Sequence, residues 1–139
     1  MVSTKSIRRI GAASLIVPGL DHLIAPSMTM VFAPVVLESI YGPGFVAATV
    51  FFVSLGLFQL IWIGILLKID NPILLIVGVL GNLVSILIYF VSTAGVTLPF
   101  DVLPQPLIAW AVLIKVLEAI FILASVYLIK VNHPRSDTS

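Results

Sequence analysis

Three runs of apolar positions dominate the chain: Gly44 to Leu67, Pro72 to Val91 and Leu107 to Val131. Each has the roughly twenty residues that an α-helix needs to cross the hydrocarbon of a bilayer, so each predicts a membrane-spanning helix. Between them lie "KIDNP", whose Asn71 and Pro72 are suited to cap and start a helix, and "STAGVTLPFDVLPQP", whose prolines forbid a regular one. Both read as loops. The first forty residues are less regular. An apolar run opens at Ile10, is interrupted by Pro18, Gly19, Asp21 and His22, resumes as "LIAPSMTMVFAPVVL" and stops at the turn "YGPG". We read residues 7–24 as the first span and residues 26–40 as a short helix that lies in the interface or re-enters the membrane. A cleaved signal peptide is the competing reading, since Lys5, Arg8 and Arg9 precede an apolar stretch with Val17 and Gly19 at a small-residue cleavage site. Apolarity that continues well past Gly19 favours the span.

The expected fold is therefore all-α: a polytopic membrane protein with a four-transmembrane-helix bundle in a single domain, residues 1–139. Composition agrees, with 60% hydrophobic and 9% charged residues, too apolar for a water-soluble chain of this length to bury. Charge then orients the bundle. With spans at about 7–24, 44–67, 72–91 and 107–131, Lys5, Arg8, Arg9, Lys68, Lys130 and Arg135 fall on one side, and the opposite loops contain no Lys or Arg. The expectation is a multi-pass protein of the cell membrane with both termini cytoplasmic. A fifth full span at 26–40 would move Lys68 to the other side and destroy this bias.

Within that frame the polar residues of the spans carry the interest. Lys115 and Glu118 lie inside "WAVLIKVLEAIFILASVYLI", where each costs about 2.5–3.5 kcal/mol at a helix centre, against about 0.3–0.6 kcal/mol returned by each large aliphatic neighbour. The helix can insert, but its charges need partners. Spaced three apart, they share a face with Ala111, Ile122 and Ser125. Similar stripes run through Thr49, Phe52, Gly56, Gln59 and Ile63, and through Gly78, Asn82, Ser85, Tyr89 and Ser92. A rise of about 1.5 Å per residue brings Gln59, Asn82 and Glu118 to one level, so we expect a buried polar layer of Gln59, Asn82, Ser85, Lys115 and Glu118. Such a layer can act as structural glue between helices. Alternatively, an intramembrane carboxylate can serve a proton or cation path.

A second group stands at the outer side: Asp21, His22, Glu38 and Asp101. Carboxylates with an imidazole can hold a divalent metal, but no ligand-spacing motif is present, and interfacial capping by solvated acids is the favoured reading. Trp62, Trp110 and Tyr127 read as interface anchors. The chain has no cysteine, which removes thiolate metal sites and Cys nucleophiles, and no hydrolase or nucleotide-binding motif. A net charge of +1 with scattered basic residues excludes a nucleic-acid partner. No cofactor is predicted.

The early His22, the run "GFVAATVFFVSLGLFQLIW", the "GN" of the third span, "STAGVTLP" after it and "LEA" in the fourth resemble a group of small prokaryotic four-helix integral membrane proteins of uncharacterised function. The resemblance covers the chain from about residue 15 and implies that His22, Gln59, Asn82, Gly95 and Glu118 belong to one arrangement. Thr93 stands where the group tends to have Arg, and a further His near the first span is missing, which favours a structural role for the shared residues. The sequence-based expectation is a non-catalytic chain whose partners are the bilayer and other membrane subunits, for example of a respiratory or metal-dependent oxidase or monooxygenase complex, or copies of itself. The alternative is a small proton- or cation-coupled transporter or channel working through Glu118 and Lys115.

Overall fold

A computed structural model describes residues 3–32, 44–93 and 108–132, all in helices or the short links between them. The helices are α1 (Thr4–Ser14), α2 (Ile16–Phe32), α3 (Gly44–Lys68), α4 (Pro72–Thr93) and α5 (Ile108–Asn132). Only Leu15 separates α1 from α2, and the two together form one of four helical stretches among the described residues that are long and apolar enough to cross a membrane.

Local chemistry explains the boundaries. Ser3 is extended and its side chain accepts the Ser6 amide at 3.1 Å, so helix begins at Thr4, ahead of the expected residue 7. The interruption at Leu15 follows from Pro18, which offers no N–H to the Ser14 carbonyl and whose ring crowds it. Leu15 absorbs the break with a tightened turn, donating to the Ala12 carbonyl at 3.2 Å while its own carbonyl accepts from Gly19 at 2.9 Å. The boundary expected at residue 25 is absent: α2 passes through Pro26 to Phe32. A proline there removes one hydrogen bond, to the His22 carbonyl, a loss that packed membrane helices tolerate. The remainder of the expected 26–40 helix lies outside the described residues. Asn71 caps α4 as its sequence suggests, its Oδ1 accepting from Ile73 and Leu74 with Pro72 at the first helical position.

The four stretches alternate in direction. Arg8 reaches Leu66, Gly19 abuts Gly56, Trp62 bonds Leu74, Ser85 bonds Glu118 and Gly11 faces Ala124, so sequence neighbours run antiparallel and α1–α2 closes against α5. Helices α2 and α3 meet most closely at Gly56, where an added Cβ would stand 2.7 Å from the Gly19 carbonyl oxygen and 2.7 Å from the Leu23 nitrogen. Aromatic rings fill the α3–α4 seam: Phe58 and Trp62 stack at 4.1 Å and press onto Gly81 and Gly78. Trp62 donates Nε1 to the Leu74 carbonyl at 3.1 Å across this seam.

Polarity is inverted relative to a protein built for water. The outward face of α4 presents Ile73, Ile76, Leu80, Leu83, Leu87 and Phe90 at spacings of three and four, while Gln59, Asn82, Glu118 and Ser125 are fully buried. The interior has two parts. Toward the end that carries Arg8, Lys68 and Lys130, an apolar cluster of Ala12, Leu15, Leu66, Leu75, Phe121 and Leu128 closes the bundle. Beyond it lies the polar layer.

Candidate functional site

All four helical stretches contribute to one hydrogen-bonded network. Glu118 of α5 is its centre: Oε1 accepts from Gln59 Nε2 at 2.8 Å and from Ser85 Oγ at 2.9 Å, and Oε2 accepts from Lys115 Nζ at 2.9 Å. Three donors converge on a group that only accepts, which is the pattern of an ionised carboxylate. Lys115 Nζ also donates to Ser85 Oγ at 2.7 Å and lies 5.9 Å from the centroid of the Tyr89 ring, within cation–π range. The pair sums to zero charge. Burial of that kind is tolerable because each ion has a counter-ion and further hydrogen bonds in place of water.

Gln59 of α3 organises the rest. Its amide donates to Glu118 and to Asn82 Oδ1 at 3.0 Å, so both N–H groups are committed and its oxygen must accept. What it accepts from is His22 Nδ1 of α2, at 3.0 Å. The imidazole therefore carries its hydrogen on Nδ1. Asn82 returns its own amide to the Gly78 carbonyl at 2.9 Å, and the His22 ring stacks on Phe52 with centroids 5.6 Å apart.

Of the residues that the sequence stripes bring to one level, Gln59, Asn82, Ser85, Lys115 and Glu118 are all joined here. His22 joins them, although the sequence groups it with the outer acids; its Nδ1 lies 3.9 Å from Glu118 Oε1. The helix that carries it starts early and runs on through Pro26, so position 22 falls inside the bundle, not at its rim. Asp21, one residue away, turns outward and accepts Trp110 Nε1 at 2.8 Å. Glu38 and Asp101 lie outside the described residues. Among the described residues no three His, Asp or Glu side chains gather where they could share a metal ion.

Ser85 and Lys115 are close enough to suggest a serine–lysine nucleophile, but the chemistry is wrong for one. A lysine general base must be neutral, whereas Lys115 faces a carboxylate; the Ser85 hydroxyl is directed to that same carboxylate and is 3% exposed. Sequence reasoning missed a second feature, at the basic end. Arg8 donates to the Leu66 carbonyl at 2.9 Å and the Ile69 carbonyl at 3.0 Å and pairs with Asp70 at 2.8 Å, while Asn132 also donates to Asp70. The guanidinium thus occupies the negative end of α3 and ties the starts and ends of three stretches together. Nothing in the local sequence around Arg8 encodes a partner some sixty positions away.

Fold and layer define a class: among the described residues, four apolar helical stretches of membrane-crossing length joined by a network of buried polar side chains. No protein-family model, curated protein or solved structure matches the chain.

Proposed function

We propose that this chain is a non-catalytic, multi-pass protein of the cell membrane, with both termini cytoplasmic, in which the polar layer locks helix register. It serves as a building block, either an accessory subunit of a membrane complex or a homo-oligomer. The observation that carries this reading is the closure of the network: Glu118, Lys115, Gln59, Asn82 and Ser85 satisfy one another inside the chain. The ion pair at its centre already has its counter-charge and its hydrogen bonds within the chain, whereas a site built for turnover keeps such a group free until its substrate arrives. The assembly part is supported by exposure. The apolar windows of α3 and α4 are only 17% and 22% buried within the chain against 44% for the first stretch, leaving two wide faces for lipid or neighbouring spans. Six of the seven basic residues fall on one side of the proposed topology, which supports the orientation.

A path for protons or cations from one side to the other has less support. Leu15, Leu66, Leu75, Phe121 and Leu128, each fully buried, fill the bundle between the layer and the basic end. Extraction in mild detergent followed by native mass spectrometry tests the reading. Foreign subunits or a defined homo-oligomer are expected, and a chain that is strictly monomeric in both detergent and bilayer discs would overturn it.

A further inference from the structure

The network leaves one titratable atom unused. Because Gln59 commits both amide hydrogens and turns its oxygen to His22, the neutral imidazole holds its hydrogen on Nδ1 and presents a bare lone pair at Nε2. Among the described residues Nε2 has no hydrogen-bond partner.

Two cations could then compete for one carboxylate. Resting on the reading of the layer as a neutral lock, we propose that His22 and Glu118 form a proton-binding site loaded from the end of the bundle opposite the basic one, and that the imidazolium replaces the Lys115 ammonium as partner of Glu118. The proton comes from water at that end and bonds to the Nε2 lone pair; no other covalent bond changes. Access from the basic end is closed by the apolar cluster around Leu15, Leu66 and Phe121. Toward the other end the described residues beyond the layer include Asp21 and the 41%-exposed Trp110.

The charges around His22 set the competition. Burial away from water and the Lys115 ammonium of α5 oppose an imidazolium, while Glu118 of α5, the Gln59 oxygen of α3 and Asp21 of α2 itself favour it; α4 offers only the uncharged Asn82, Ser85 and Tyr89 among the described residues. Mobility decides which cation yields. The His22 ring is held on a short stem between Phe52 and Gln59, 3.9 Å from Glu118 Oε1. Lys115 has a four-carbon stem, its side chain is already 12% exposed, and it lies three positions farther from the basic end than Glu118. Long ammonium side chains reach toward the interface when a closer cation displaces them. Release of Lys115 also breaks its bond to Ser85, and with it one tie between α4 and α5. Acid on one side of the membrane therefore loosens the lock.

The experiment uses the full chain with His133→Gln, leaving His22 as the single histidine, reconstituted with ¹⁵N-labelled His and Lys and ¹³C-carboxyl-labelled Glu into liposomes whose inner and outer pH are set separately. Acidifying the compartment at the Trp110 end from about pH 8 to about pH 5 should convert the neutral Nδ1–H signals of His22 to imidazolium and abolish the Lys115–Glu118 dipolar coupling. Acidifying the other compartment should do neither. His22→Asn, which keeps a donor for Gln59 Oε1, should retain the Lys115–Glu118 coupling throughout. An imidazole that stays neutral, a coupling that survives its protonation, conversion from the basic end, or a coupling that disappears to the same extent in His22→Asn would each overturn the proposal. The lock itself is tested separately by the stability of Glu118→Gln at neutral pH, so the two readings fail independently.

Discussion

Replacing Glu118 by Gln keeps the size of the side chain and removes its charge. In the native chain the carboxylate receives three hydrogen bonds, and Lys115 draws its counter-charge from it at 2.9 Å. The variant leaves Lys115 with Ser85 Oγ and the Tyr89 ring, neither of which carries charge. Breaking one side of a buried pair costs about 3–5 kcal/mol. Because the Lys115 side chain is 12% exposed and can extend to the interface, the lower end applies, and the expected loss is about 3 kcal/mol. The assay is reversible unfolding in mixed micelles of increasing SDS content, followed by the fluorescence of Trp62 and Trp110. Lys115→Met combined with Glu118→Gln removes both charges and should recover at least half of the loss, since the penalty arises from the orphaned ammonium and not from the absent carboxylate. A single variant that loses less than about 1 kcal/mol, or a double variant no better than the single, would refute the account of the pair as mutually dependent ions.

The close approach of α2 and α3 predicts that Gly56→Ala costs about 1–3 kcal/mol in the same assay, because backbone and not a flexible side chain stands in the way, whereas Gly64→Ala, with nothing within 4 Å, should be neutral or slightly stabilising. Arg8→Ala should cost about 1.5 kcal/mol, chiefly through the Leu66 and Ile69 carbonyls, since Asp70 is half exposed and its ion pair is weak; faster amide exchange confined to the last turn of α3 is the signature. The absence of cysteine makes topology directly readable: Ser3→Cys and Lys68→Cys should react with a membrane-impermeant thiol reagent from the same side, and Val46→Cys from the other. Labelling of Ser3→Cys and Lys68→Cys from opposite sides would sink the four-span topology.

Much of the layer is legible in the sequence because a span admits few polar residues, and those present recur at helical spacing. Gln59, Asn82 and Glu118 can be levelled by counting residues from each loop, and Ser85 and Lys115 follow as neighbours one turn away. Counting works where the helix ends are marked, as Asn71 and Pro72 mark the start of α4. It fails where they are not. Counting puts His22 at the rim because Pro18 and Pro26 read as boundaries; the helix is instead interrupted at Leu15, three residues ahead of the first proline, and absorbs the second within α2. A proline constrains the carbonyl four positions before it, so its effect on a helix lies upstream of the letter that signals it.

The same offset bears on what the layer can do. With His22 at the rim, the network would be a neutral pair braced by two amides, with no titratable member other than the ions themselves. With His22 inside, a third ionisable group stands 3.9 Å from Glu118 and shares Gln59 with it. An amide oxygen accepts a hydrogen bond readily but passes a proton on poorly, so Gln59 couples the positions of His22 and Glu118 without wiring them for conduction. In the proposed proton site the layer holds the charge where all four stretches feel it, and the apolar cluster beneath stands between it and the basic end. A bundle whose stability rests on van der Waals packing and a handful of polar contacts is sensitive to a single added charge at its centre, which is why one imidazole decides whether the lock is permanent or conditional.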